Sequence, residues 1–421
     1  MTGLTAQSHG DRVFNETQEM PQAPTLADCF KKAGYQTFAV GKLHVHPQRD
    51  RIGFDEVILN EEGRHHLGHG ADDWELFMAE QGFPGMEYAS GMCNNDYMHY
   101  PWSFPDYCHP TNWTAREMCK AIRRRDPRKP GFWYMSFNCP HPPMVPLQAY
   151  LDHYRDDEID EPVVGEWAQD FDALPYALKF KRDRYAFRDA SPREVRLARK
   201  AFYALVTHID HQIRVVIGYL REQGLLDNTI IAFTSDHGDM LGDHNLWAKR
   251  VPYDASNRVP FLIVPATGDS RMANNTIDDR LVEHRDIMPT LLDLAGLPVP
   301  GSVEGVSVLT DRHRTYLYGE CDEDDRANRM VRDADYKLIY YPVGNVVQLF
   351  HMTEDPKERF NLAGQPAYAE KQAELTDQLI QRMYGRDRSW VQDGSLVGEP
   401  DKPYQTRPNR GLTAQRGLRF L

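Results

Sequence analysis

Thr229-Ile-Ile-Ala-Phe-Thr-Ser-Asp-His-Gly-Asp-Met-Leu-Gly-Asp-His-Asn-Leu-Trp-Ala-Lys-Arg250 is the stretch on which the fold turns. Residues 229–234 form an apolar, β-branched run without alternation, the texture of a parallel strand buried on both faces. Asp236 and His237 follow at once, just past the carboxyl end of that strand, where open α/β sheets collect ligand-binding groups. Gly238 then permits a sharp turn. Carboxylates, imidazoles and the Lys249 ammonium share one loop, a mixture suited to a metal ion and a bound oxyanion.

Working outward, Ser191-Pro192-Arg193-Glu194 supplies an N-cap, a first-turn proline and a capping-box glutamate. The helix they open buries Leu197, Ala201, Leu205, Ile209, Ile213, Val216 and Leu220 and stops at Gly224. Residues 261–264 read as the next strand and 287–295 as the next helix, ended by Gly296. Toward the amino terminus, Thr25 to Asp28 starts a helix that Gly34 ends, and residues 36–40 form a strand. A basic helical segment near residues 121–125 precedes another strand at 132–137. Between these, residues 60–115 are rich in Gly, Pro, His and aromatics with little periodicity, the mark of an elaborated loop region that shapes a pocket.

Helix alternating with apolar strand predicts an α/β fold, a mixed but mostly parallel sheet with helices on both faces. After about residue 310 the strands at 316–318, 336–341 and 347–350 are short and aromatic, with a helix near 367–383, predicting a small antiparallel α+β subdomain. The expected division is therefore 1–310, 311–388 and a surface-wrapping tail at 389–421.

With 421 residues, 41% of them hydrophobic, the chain can bury a large core, and no run approaches the roughly 18 apolar residues of a membrane span. A net charge of -13 argues against nucleic acid as a partner, and no membrane partner is expected, while a homo-oligomer stays open. Cys29, Cys93, Cys108, Cys119, Cys139 and Cys321 are scattered and read as buried thiols rather than a disulfide framework. No signal peptide is visible, which weakly favours the cytoplasm, and the sequons at Asn15, Asn112 and Asn274 carry no weight without a secretory context.

Two further strand ends carry chemistry. Gly41-Lys42-Leu43-His44 follows the strand at 36–40, and Pro140-His141-Pro142-Pro143 follows that at 132–137. Each piece alone has an ordinary reading: a solvated lysine, a histidine stiffening a loop, an N-cap aspartate at 236 beside a satisfied His237. Together and in this order they resemble the signatures of the sulfatases, the sulfuric-ester hydrolases of the alkaline phosphatase superfamily. Glu283-His284-Arg285-Asp286-Ile287-Met288-Pro289-Thr290 and Leu349-Phe350-His351-Met352-Thr353-Glu354-Asp355-Pro356 extend the resemblance over essentially the whole chain. Leu43 departs from it, standing where the family has tryptophan.

The resemblance implies an alkaline phosphatase-like fold and assigns roles. Asp236 and His237 are the second pair of ligands to a divalent metal ion, calcium first, although an imidazole also suits manganese or zinc. Lys249 grips a sulfate oxygen, Lys42 grips the sulfate and the nucleophile, His44 acts on the nucleophile's hydroxyl, and His141 contacts the sulfate and protonates the departing oxygen. Asp239, Asp243 and His244 are weaker candidates, equally readable as loop groups or partners of the ligands, and Arg258 has a structural or supporting role. The family's nucleophile is a formylglycine made from Cys or Ser in a Cys-x-Pro-Ser-Arg or Ser-x-Pro-x-Arg motif that runs into Thr-Gly. Here Thr2-Gly3 follow Met1 directly. The motif and the strand with the first Asp-Asp pair are therefore expected upstream, and the chain as written is expected to be poorly stable and nearly inactive. The implied substrate is a small-molecule or saccharide sulfate ester. The alternatives are a phosphonate or phosphate-diester hydrolase on the same scaffold, or a metal- and anion-binding pseudoenzyme.

Overall fold

The Thr25 side chain accepts the Asp28 N–H while Asp28 accepts that of Thr25, and this reciprocal cap opens helix α1, Leu26–Lys32. Gly34, at φ +88°, turns the chain into strand β1, Gln36–Gly41. β1 lies between two parallel neighbours, β2 (Glu56–Leu59) and β3 (Gly131–Ser136). The computed structural model describes residues 1–408 apart from Glu62, Arg64, Cys93 and Asn274. The tail beyond 408, one cysteine and one sequon thus lie outside the described residues.

The pleat sorts this sheet into two apolar faces. Phe38, Val40, Ile58, Trp133 and Met135 pack against α3 (Pro110–Arg124) and the end of α5 (Pro192–Glu222) through Met118, Ile122, Val216 and Leu220. Ala39, Val57, Phe132 and Tyr134 face the other way. There Phe132 also meets Leu26 and Phe30 of α1 and Met288 and Leu292 of α6, Ile287–Leu294. Ser191 caps α5 with the capping box read from sequence. Two helices fall inside the segment read as loop: α2 (Asp73–Glu80), capped by Asp72, and the first part of α3. A further helix, α4, spans Tyr176–Arg184.

The strand after α5 departs from expectation. β4, Ile231–Thr234, is neither parallel nor buried: it pairs antiparallel with β5, Phe261–Val264, in a separate two-stranded sheet. Phe233, Leu262 and Val264 are 40%, 52% and 46% exposed. The reason is local. Among the described residues β4 has no partner on its second edge, and neither has β3 on its outer edge, so the covering layers do not close over the apolar side chains.

The carboxyl-terminal strands β6 (Leu317–Cys321), β7 (Asn328–Arg332), β8 (Tyr336–Tyr341) and β9 (Val346–His351) form one antiparallel sheet in sequential order. One face, with Val331, Leu338 and Leu349, is covered by Leu375 and Leu379 of α7, Ala369–Arg382. The other, with Met330, Ile339 and Phe350, packs on Met240, Leu246, Val251 and Tyr253. The small sheet therefore buttresses the loop that follows β4. The tail forms a short hairpin, Val391–Gln392 with Ser395–Leu396, and continues over the surface, where Tyr404 Oη donates to Asp183 at 2.8 Å.

Candidate active site

β1 ends where the chain runs against β3. A Cβ on Gly41 would lie 1.8 Å from the Ser136 carbonyl oxygen, so only glycine fits, and the Lys42 N–H donates to that same oxygen at 3.0 Å. The next turn is fixed by Glu61, whose Oε1 accepts the N–H groups of Leu43 and His44 at 2.8 and 2.7 Å. Its Oε2 lies 3.7 Å from His44 Nδ1. Burial works to raise the Glu61 pKa, but the His44 ring and these backbone N–H groups prevail and hold it below the usual glutamate value. His44 itself sits at φ +59°.

β4 delivers Asp236 and His237. A Cβ on Gly238 would meet the Ala255 carbonyl oxygen at 2.1 Å, and the Gly238 N–H donates to Ser256 O at 2.8 Å, which turns the loop sharply back. Asp236 Oδ1 accepts the His237 N–H at 3.0 Å, and its Oδ2 lies 3.6 Å from His237 Nε2. His237 Nδ1 is 2.8 Å from the Gly238 carbonyl, which can only accept. The ring proton is therefore on Nδ1 and the Nε2 lone pair is free to bind a cation. Burial, then the Lys249 ammonium, push the His237 pKa below its usual value, keeping the ring neutral. Partial desolvation opposes ionisation of Asp236, yet the adjoining His237, through its ring and backbone N–H, and the Lys42 ammonium prevail and lower its pKa.

Lys249 is carried by a turn that closes on Asp239. The Met240 N–H donates to Ala248 O at 2.8 Å, and Asp239 accepts from Leu241 N at 3.0 Å, Ala248 N at 3.2 Å and Tyr97 Oη at 2.6 Å. Lys249 Nζ then reaches His141 Nε2 at 2.5 Å. Because His141 Nδ1 donates to the Pro142 carbonyl at 2.9 Å, Nε2 is the acceptor and Lys249 the donor. The His141 and His237 rings meet edge to face, centroids 5.9 Å apart.

Lys42, His141, Asp236, His237 and Lys249, spread over more than 200 positions of sequence, thus converge at the ends of β1, β3 and β4, with His44 beside them on the Glu61 turn. Asp243 and His244 do not join them. Asp243 accepts the Val163 N–H and His244 Nδ1 the Gly165 N–H, tying down a neighbouring segment. Arg258 is an exposed side chain 3.9 Å from Asp254. Sequence reading gave no part to Glu61 or Tyr97 and only a weak one to Asp239, because a carboxylate that aims backbone N–H groups carries no motif. Among the described residues no three or more His, Cys, Asp or Glu side chains form a metal cage. Asp236 and His237 supply two donors of suitable type and orientation.

The sulfatase family model matches residues 1–297, and the carboxyl-terminal model of N-sulphoglucosamine sulphohydrolase matches 242–384. An arylsulfatase of Clostridium perfringens is 34% identical over 414 residues, covering 94% of this chain and 85% of its own. The chain belongs to the sulfatase family. This sulfatase is accordingly a sulfuric ester hydrolase by family, and members generally use a divalent metal and a formylglycine. Its fold is shared with a phosphonate monoester hydrolase of Agrobacterium radiobacter, at TM-score 0.76 and 20% identity, over 90% of this sulfatase and 84% of that chain. A structure described as in complex with its substrate D-glucosamine-2-N,6-O-disulfate superposes at TM-score 0.61 and 20% identity, over 90% and 85% of the two chains.

Proposed function

We propose that this protein cleaves sulfate esters of small molecules or saccharides, with Lys42, Lys249, His141 and His44 handling the ester and Asp236 and His237 holding part of a calcium shell. The observation that carries this reading is the 2.5 Å contact of Lys249 Nζ with His141 Nε2, beside the His237 ring. A sulfate ester spreads one negative charge over its oxygens and needs a proton on the departing alkoxide. Lys42 and Lys249 bring opposing charge to one corner without reorganisation. Lys249 holds the proton at this corner: its ammonium donates to His141 Nε2, so the proton for the leaving oxygen comes from Lys249, relayed through Nε2, and Lys249 is left neutral. His44, steadied by Glu61, accepts the proton of an attacking hydroxyl. A bound divalent cation supplies Lewis-acid neutralisation of a sulfate oxygen, with manganese or zinc as the alternatives to calcium. The glucosamine disulfate bound by a fold relative supports a saccharide substrate.

The test is steady-state hydrolysis of an aryl sulfate, a sulfated hexosamine and an aryl phosphonate by the protein carrying the family's nucleophile motif ahead of Thr2-Gly3, with Lys249→Ala alongside. The sulfate esters are expected to be preferred, and the variant to lose about ten- to hundredfold in kcat/KM, matching the roughly 1.5–3 kcal/mol of a charge-assisted hydrogen bond. A higher kcat/KM on the phosphonate would reassign the reaction. Cation and sulfate binding with no turnover of any ester would make the protein a binding module.

A further inference from the structure

A second, arginine-rich cleft lies apart from the side chains of the anion corner. It is an open, shallow cleft of about 630 Å³ lined by Phe14, Phe180, Arg184, Arg250, Arg326 and Arg407, among others. That volume lies within the roughly 300–1,000 Å³ of small-molecule sites. Two of its lining residues reach the corner already described: Arg250 follows Lys249 in sequence, its guanidinium lies 5.6 Å over the Phe14 ring, and Phe14 in turn stacks on His44 with centroids 6.1 Å apart. The opposite wall repeats the device, with the guanidiniums of Arg326 and Arg407 at 5.2 and 5.5 Å over Phe180. Stacking on a ring holds a guanidinium fork in one plane with its N–H edges directed outward.

Structural pairing does not account for this much positive charge. Asp322 takes Arg250 at 2.7 Å and also serves Lys181, and Asp324 takes Arg326 through Nε at 2.7 Å. Arg184 and Arg407 form no ion pair among the described residues, and the cleft's one carboxylate is Glu16. In a chain of net charge -13, four arginines gathered on an aromatic floor repel one another, a cost that an anionic ligand offsets. Planar forks match carboxylate and sulfate oxygens alike.

We infer that this cleft is a second anion subsite, so that the preferred substrate is a saccharide bearing, besides the sulfate to be cleaved, a second sulfate or a carboxylate that Arg184 and Arg407 read. The inference rests on the proposed function for the first subsite. Phe14, between Arg250 and His44, connects the wall of this cleft to the first subsite.

The experiment is calorimetric binding to the full chain of three ligands: N-acetylglucosamine 6-sulfate, glucosamine 2-N,6-O-disulfate and a monosulfated disaccharide containing a uronate. At least one dianion is expected to bind tenfold or more tighter than the monosulfate, with the steeper salt dependence. Which dianion gains identifies the second group as sulfate or carboxylate. In the paired variant Arg184→Gln/Arg407→Gln the preference is expected to fall below threefold while the monosulfate Kd stays within twofold. Equal affinity for all three ligands in the unmodified protein, or an equal loss for mono- and dianion in the variant, would overturn the inference. Should the paired variant fail to fold, Arg184→Gln alone, at the exposed end of its helix, makes the same comparison. Lys249→Ala separates the two claims: it weakens every ligand if the first subsite is right, and if it weakens none, the proposed function fails whatever the arginines do.

Discussion

Asp239 offers the sharpest link between packing and chemistry. Its carboxylate accepts from Tyr97 Oη, Leu241 N and Ala248 N, and the turn so closed presents Lys249. Tyr97 is 1% exposed and packs on Trp247 with ring centroids 4.7 Å apart, so water does not replace a lost acceptor. Asp239→Ala strands three donors; at about 1–2 kcal/mol each the expected loss is about 3–6 kcal/mol, a large share of a typical 5–15 kcal/mol stability. Asp239→Asn keeps an oxygen for the two backbone N–H groups and removes a charge that burial disfavours, as the raised pKa of this carboxyl records. Its expected cost is under about 1.5 kcal/mol. The sign with pH follows: a carboxyl raised in the folded state makes the unmodified protein lose stability as pH climbs above the unfolded value of 3.8, so the Asn penalty shrinks from pH 4 to pH 7. Urea unfolding with unchanged m-values gives these differences, and sulfate titration reads the turn: about tenfold weaker binding for Ala, within threefold for Asn. An Ala variant that loses less than about 1 kcal/mol and binds sulfate normally would refute the anchoring role.

Other expectations follow from single contacts. Gly41→Ala drives a methyl into the Ser136 carbonyl from a φ of +103°, and should abolish soluble protein or lower the melting midpoint by more than 10 °C; a normal melt contradicts the close approach of β1 and β3. His109 is fully buried and burial lowers its pKa from 6.5 to about 4, so as pH falls from 6.5 the unfolded chain gains protons that the folded one refuses. Stability should drop by about 3 kcal/mol by pH 4 on this account alone, and His109→Asn should flatten that slope in pH-dependent urea melts; an unchanged slope rejects it. Lys337 is fully buried and donates to Pro252 O, Asp254 and Glu358, so Lys337→Met leaves carboxylates facing one another and should cost about 3–5 kcal/mol, against near-neutrality if the cluster is hydrated.

What was legible in the sequence was whatever is encoded locally. The caps at Thr25 and Ser191 and the stops at Gly34 and Gly296 sit where side-chain chemistry and φ demand them. The strand ends bearing Lys42, His141 and Asp236 carry local motifs in their sequence, and the structure brings these side chains to one corner. Illegible parts depend on partners distant in sequence. Residues 231–234 have the composition of a buried parallel strand, but burial requires a neighbour on each edge, and among the described residues β4 pairs with β5 alone. β7, Asn-Arg-Met-Val-Arg, shows no apolar run because Arg329 is buried against Asp387 at 2.6 Å, a pairing 58 positions away. The arginine cleft is drawn from segments at residues 14, 180–184, 250, 326 and 407, and no window of sequence contains it.

The central claim is that the Asp236–His237 corner and the ammonium groups of Lys42 and Lys249 share one anion beside a cation. A crystal grown with calcium and sulfate, recorded at a wavelength where calcium scatters anomalously, addresses it directly. The account predicts an anomalous peak within about 2.3–2.6 Å of an Asp236 oxygen, and a sulfate with oxygens about 2.7–3.2 Å from both lysine nitrogens. Sulfate bound elsewhere, or the two lysines engaging different anions, would contradict it.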